Sequence, residues 1–149
     1  MSALLEPQAG RIPTGTSTAL SGPFWEGCRR RELLYQYFPQ SGRAQFNPAP
    51  VDRVSLSSSF EWRRSAGLGS VYSWSAVFRP PSQAFSVPYV AAIITLGEGF
   101  EMVSNIVGCR PEDVYIGQPV RVVFHAVNED LTLPYFTPLS PAAGRSDDL

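Results

Sequence analysis

Lysine is absent from this 149-residue sequence, so all twelve positive charges are arginine. Against thirteen acidic residues they leave a formal net charge of −1. A chain so balanced lacks the basic excess that nucleic acid or an anionic membrane requires of a partner. A GC-rich coding sequence is the plain source of an arginine-only chain, although arginine also suits planar, two-pronged contact with carboxylate or phosphate. Cysteine is equally sparse: Cys28 and Cys109 form neither a disulfide framework nor a four-ligand zinc site, and reduced thiols are expected. No apolar run approaches the roughly 20 residues of a bilayer span. Residues 1–10 lack the basic stretch followed by an apolar one that marks a secretory signal. These absences predict a soluble, cytoplasmic protein without a membrane or nucleic-acid partner.

What the chain does have is 44% hydrophobic and 12% aromatic residues, enough for one packed domain of this length. Residues 1–20 are rich in Pro, Gly, Ser and Thr and read as a mobile tail, as do residues 139–149. Residues 21–31 read as a short helix, with Ser21 as cap, Pro23 in the first turn, and Phe24, Trp25 and Cys28 as an apolar stripe. Alternation over 32–38, a turn at 39–42 and a return strand at 44–46 predict a small hairpin. Residues 47–59, rich in Pro and Ser, read as a connector.

From residue 60 the strand signal strengthens. Residues 71–78 place Tyr72, Trp74, Ala76 and Phe78 on one face. Residues 88–96 form an apolar run suited to a strand covered on both sides. The Gly97-Glu98-Gly99 turn returns the chain along 100–107. Residues 111–116 suit one helical turn, 120–127 alternate again, and 131–136 read as an edge strand interrupted by Pro134. Five antiparallel strands over 60–138 predict a closed OB-type barrel. The fold class is therefore mainly β: an N-terminal helix and a small hairpin segment over 21–59, then the barrel.

Several strings now stand in register: Phe24-Trp25-Glu26-Gly27, Glu32-Leu33-Leu34, Gly42-Arg43, Gly67 to Ser73, Pro88-Tyr89-Val90, Leu96 to Gly99, Ile116 to Val120, and Leu133-Pro134-Tyr135-Phe136. Over residues 22 to 138 the chain resembles the acyl-CoA-associated OB-fold family first catalogued as domain of unknown function 35. The resemblance implies a helix, a rubredoxin-like zinc ribbon and an OB barrel. It also implies an accessory subunit that helps shape the CoA site of a thiolase-like aldolase or acyltransferase in steroid side-chain or other acyl-CoA metabolism. A subunit of a hydratase complex and an independent OB module for a small ligand or nucleic acid are the alternatives. Aligned on Gly42 and Pro48, the four metal positions of the ribbon fall on Phe38, Ser41, Asp52 and Ser55. None of these is a thiolate, and structural zinc takes four sulfur or nitrogen donors. The resemblance therefore implies a metal-free ribbon, with Phe38 and Tyr37 expected to hold the hairpin by hydrophobic contact.

Catalysis is expected from the partner, with acyl-CoA as the substrate of the complex and no cofactor held by this chain. His125 has no Ser-His-Asp or Cys-His spacing around it. Cys109 reads as a small buried hydrophobe, and Glu98 as a solvated turn residue. The residues expected to meet CoA or the partner are Phe24 and Trp25 beside Arg29, Arg30 and Arg31, the connector arginines Arg43 and Arg53, and an exposed apolar edge at Tyr135 and Phe136. Trp25, Trp62 and Trp74, with Tyr72 and Phe78, are expected in the core and not as a base-stacking platform.

Overall fold

Residues 3–8 and 10–139 are described by the computed structural model. Helix α1 (Gly22–Arg29) carries Pro23 in its first turn, as expected. Ser21, however, does not cap it: the Ser21 hydroxyl is engaged with Thr18, whose backbone N–H donates to it over 3.0 Å. The helix ends two residues earlier than expected, in a left-handed C-terminal turn. Arg31 sits at φ 62°, its N–H donates to the Cys28 carbonyl, and the Glu32 N–H reaches back to Gly27. That paired arrangement is the usual way of satisfying the last carbonyls of a helix, and glycine is its usual occupant. Arg30 and Arg31 thereby leave the helix face.

Three short strands follow, β1 (Leu34–Phe38), β2 (Arg43–Gln45) and β3 (Glu61–Arg64), and form a sheet in the order β2-β1-β3. Local alternation could not reveal that β3 pairs with β1, Tyr35 opposite Arg63. The small sheet therefore reaches residue 64, and the strands after it make the barrel. These are β4 (Leu68–Val77), β5 (Tyr89–Leu96), β6 (Glu101–Ile106), β7 (Pro119–Ala126) and β8 (Thr132–Pro138), closed in the order β4-β5-β6-β8-β7. The five-stranded OB-type barrel expected from strand count is present. Among the described residues no helix is long and apolar enough to cross a membrane.

Strand β5 alternates instead of being covered on both faces: Val90, Ala92, Ile94 and Leu96 are buried while their neighbours are half-buried. Strand β4 departs further from expectation. A register shift between Val71 and Ser73 inserts one extra residue, so that Val71 turns into the core opposite Ile94. Such a bulge re-aims side chains beyond it. Tyr72, the extra residue, stands in solvent at 59% exposure, Phe78 lies past the end of β4 at 69%, and Trp74 is also exposed; none belongs to the core predicted for them.

Strand β8 is no edge. It pairs with β7 along its whole length, Val122 opposite Phe136, and meets β6 in parallel at a single rung, Ile106 opposite Phe136. With so little ladder on the β6 side, Pro134 costs no needed donor there. The other closure is also short, three paired residues, Leu68 to Ser70 against Pro119 to Arg121. At Gly69 a Cβ would collide with the Thr95 carbonyl oxygen, so this close approach of β4 to β5 admits only glycine. The barrel core is apolar, with Val71, Val90, Ile94, Leu96, Ile106, Val120 and Phe136 almost wholly buried, each contributing about 1.5–3 kcal/mol by burial.

Two segments expected to be loose are anchored. Within residues 1–20, Leu5 and Gln8 are buried. Leu5 exchanges backbone hydrogen bonds with Cys109 and Gly108, and the Gln8 side chain exchanges two with the backbone of Ser86. In the connector, Asp52 is wholly buried. Of the tail expected at the C-terminal end, residues 140–149 lie outside the described residues.

Candidate partner and ligand surfaces

An aromatic chain ties helix, small sheet and barrel together. Trp25 meets Phe24 at 4.9 Å between ring centres, Phe24 meets Phe46 at 5.2 Å, Phe46 lies parallel to Phe100 at 6.5 Å, and Phe100 stacks on Tyr35 at 4.8 Å. Edge-on and offset contacts of this kind add about 0.5–1.5 kcal/mol each beyond the area they bury. Phe24 is thus spent inside the chain, 4% exposed, and Trp25 is half-buried. Tyr135 and Phe136, expected as an exposed edge, are buried as well, because β8 is enclosed between two strands. The Tyr135 hydroxyl accepts the Gln8 N–H at 3.2 Å. Burial raises its pKa and that hydrogen bond opposes the rise.

Beside this aromatic chain lies an apolar cavity of about 270 Å³, walled by Trp25, Phe85, Tyr89, Met102, Leu133 and Tyr135. A second, more polar cleft of about 530 Å³ separates the small sheet from the β5–β6 turn, with Arg43, Arg53, Asn47, Thr95, Phe100 and Glu101 among its walls. Phe46, Phe85, Phe100 and Gln8 were not singled out in the sequence. Their spacing carries no motif, and only the fold brings them together.

The expected arginine cluster is divided. Arg29 pairs with Glu26 at 3.7 Å and Arg30 with Glu32 at 3.3 Å, while Arg31 donates to the Phe124 carbonyl at 3.1 Å. The left-handed turn at Arg31 is what separates them. Arg43 reaches Asp52 at 2.6 Å. Arg53 has no ion-pair partner among the described residues and stands on the wall of the polar cleft. Glu98 is not the solvated turn residue expected. Its carboxylate accepts the Ser65 hydroxyl at 2.7 Å and the Ala66 N–H at 2.8 Å, fastening the β5–β6 turn to the chain between β3 and β4.

The thiols are poor nucleophiles. Burial pushes Cys28 up to about 12; burial and then the Asp113 charge push Cys109 up to about 11. Both are therefore thiols, not thiolates, at neutral pH. His125 has the Tyr135 ring as neighbour at 6.2 Å, which offers no acid–base relay.

The zinc that the resemblance implies does not fit the residues at its four positions. Phe38 offers no donor, is fully buried and packs against Phe60 at 5.7 Å. Asp52 is already bonded by Arg43, by the Ser55 hydroxyl at 2.7 Å and by the Val54 and Ser55 N–H groups. The Ser41 Oγ is buried without a hydrogen-bond partner of ordinary geometry. One carboxylate engaged with a guanidinium and two hydroxyls are not a zinc donor set. No group of three or more His, Cys, Asp or Glu is gathered among the described residues.

Exposed apolar side chains include two sets whose members lie close to each other along the hydrogen-bonded chain. Tyr72, Tyr115 and Ile116 flank the hydrogen bond from the Gly117 N–H to the Val71 carbonyl. Val51, Val54 and Leu56 crown the connector.

Residues 62–125 match the sequence model of the ChsH2 C-terminal OB-fold domain. A probable enoyl-CoA hydratase alpha subunit of Thermomonospora curvata is 36% identical over 121 residues, 79% of this chain and 37% of that protein. A DUF35 domain-containing scaffold protein of Methanocaldococcus jannaschii is 46% identical over 72 residues, 48% of this chain and 51% of that protein. The chain thus spans about half or less of these curated relatives. Among solved structures, a chain of the Ltp2-ChsH2(DUF35) aldolase superposes with a TM-score of 0.77 at 31% identity, covering 84% of this chain and 98% of that one.

Proposed function

The chain belongs to the ChsH2-like DUF35 family of OB-fold proteins, and on that premise we propose that it is an accessory subunit of an acyl-CoA-processing enzyme. The observation that carries the reading is the superposition on 98% of a chain of the Ltp2-ChsH2(DUF35) aldolase. The match covers 84% of this chain, more than the barrel alone occupies. The chain's own chemistry agrees: both thiols are held protonated, and among the described residues His125 has the Tyr135 ring as neighbour and no acid–base relay. The reacting groups then come from a thiolase-like partner, and this chain contributes surface.

Acyl-CoA is the substrate of the assembled complex. For its nucleotide the polar cleft between small sheet and barrel is the suited surface, with Arg53 on its wall and its guanidinium uncommitted among the described residues. Arginine binds phosphate through charge-assisted, two-pronged hydrogen bonds. The identity to a hydratase alpha subunit over 79% of this chain favours a second reading, in which the partner is a hydratase-like subunit.

Co-expression with thiolase-like and hydratase-like subunits encoded beside this chain tests both. Co-purification of a stoichiometric complex with the former, active on an acyl-CoA only when both chains are present, is the expected result. A complex with the hydratase-like subunit alone supports the second reading. Acyl-CoA turnover by this chain alone would overturn both.

A further inference from the structure

Two five-residue turns in the N-terminal half are built alike. In the first, Phe38-Pro39-Gln40-Ser41-Gly42, the Gly42 N–H donates to the Phe38 carbonyl at 2.8 Å, and Gly42 has φ 73°. In the second, Asp52-Arg53-Val54-Ser55-Leu56, the Leu56 N–H donates to the Asp52 carbonyl at 2.8 Å, and Leu56 has φ 60°. Each turn carries serine at its fourth position and closes on a left-handed residue. At Leu56 that conformation is held by a branched side chain, at a cost of about 1–2 kcal/mol, so something must over-determine the turn.

That something is Asp52. It belongs to the second turn, yet its Oδ1 accepts Arg43 Nη1 at 2.6 Å, and Arg43 directly follows the first turn. The same carboxylate gathers its own turn, accepting the Val54 and Ser55 N–H groups and the Ser55 hydroxyl. The Ser41 hydroxyl lies buried close by. One wholly buried carboxylate therefore binds both turns at once, which is the mechanical task a tetrahedral metal performs between two such loops. Burial opposes the ionised form, but the Ser41, Ser55, Arg43 and Val54 contacts outweigh it and hold the Asp52 carboxyl well below the usual carboxylate range. A buried charge is tolerated when it is paired and its lone pairs are filled.

We propose that the Asp52–Arg43 ion pair replaces a structural metal in this ribbon, cross-linking its two turns by charge where a metal-binding ribbon would use four thiolates. The inference is independent of the partner and of the reaction. It makes the small sheet indifferent to chelators and to thiol oxidation, and dependent on one carboxylate.

Two experiments test it. The first is the variant F38C/S41C/D52C/S55C, titrated with cobalt(II) beside the wild type. The expected result is one cobalt per chain with the ligand-field absorption of a tetrahedral thiolate site in the variant and none in the wild type. A variant that takes up no cobalt in tetrahedral geometry would show that the four positions do not converge, and overturn the proposal. The second is a melting cycle on the wild type, Asp52→Asn, Arg43→Met and the double variant, with and without chelator. Each single change is expected to lower the midpoint by more than about 4 °C, the double change by clearly less than the sum, and chelator by nothing. Additive losses, or a wild type that loses stability in chelator, would sink the ion-pair lock even where the four-cysteine chain does not fold.

Discussion

Gln36 and Ala49 exchange two hydrogen bonds, the Gln36 amide donating to the Ala49 carbonyl at 2.9 Å and accepting the Ala49 N–H at 2.8 Å. The Gln36 side chain, wholly buried in β1, thus acts as an extra strand residue for a connector that has none of its own. Gln8 does the same for Ser86, and Gln118 spans the Asp113 carbonyl and the Tyr115 N–H.

Replacing Gln36 by Leu removes both bonds and leaves a backbone donor and acceptor unpaired in a part-buried site. The expected loss is about 1–3 kcal/mol, read as a lower midpoint in urea with unchanged slope. An unchanged midpoint would mean that the connector is not held by this amide.

Phe100 joins the small sheet to the barrel through Phe46 and Tyr35. Phe100→Ala is expected to cost about 3–5 kcal/mol, and hydrogen exchange should quicken in β1 as well as around the β5–β6 turn. A loss confined to the barrel would show that the aromatic chain does not couple the two.

The folded-state pKa of Asp52 is depressed, so its contribution to stability is fully present above the unfolded-state value of about 3.9 and is lost as pH falls toward the folded one. Between those values the unfolded chain binds the extra proton, so stability should rise with pH there. Thermal melts from pH 2.5 to 7 should show this slope in the wild type and a flatter one in Asp52→Asn. Identical slopes would remove Asp52 from the account.

Cys28 and Cys109, with pKa values pushed up to about 12 and about 11, should resist iodoacetamide in the native protein at pH 8 and react on unfolding. Mass spectrometry of timed samples decides it, and rapid native labelling at either position would contradict the burial assigned to it.

In the assembled complex, Arg53→Glu is expected to weaken acyl-CoA binding about tenfold, the effect falling away at high salt. Titration calorimetry at two salt concentrations measures this. Equal affinity at low salt would move the nucleotide away from the polar cleft.

The sequence reading was strongest where structure is local. The presence of a strand at β5, the Gly97–Gly99 turn and Pro23 in the first turn of the helix follow from neighbouring residues, and all three are found in the fold; the alternating burial of β5 does not follow from its unbroken apolar run. What it missed is non-local. The pairing of β3 with β1, the enclosure of β8 and the bulge that turns Tyr72 outward depend on partners far along the chain. The buried polar residues escaped for the same reason: Gln8, Gln36 and Asp52 look like surface residues until distant donors and acceptors surround them. At the expected contact surface, the arginine triplet read as one patch, but a left-handed residue in its middle sends the three side chains to different partners. Only Arg53 of the arginines singled out stands in a cleft without an ion pair among the described residues.

The barrel's two short closures also say how it must assemble. Pairing of β4 with β5 and of β5 with β6 joins residues close in sequence and proceeds at little loop-closure cost, whereas joining Gly69 to Val120 and Ile106 to Phe136 draws together segments roughly fifty and thirty residues apart. The three-stranded meander is therefore expected to form before the cylinder shuts. Changes at Val120 or Phe136 should slow folding less than they speed unfolding, because the last contacts to close are the first to part.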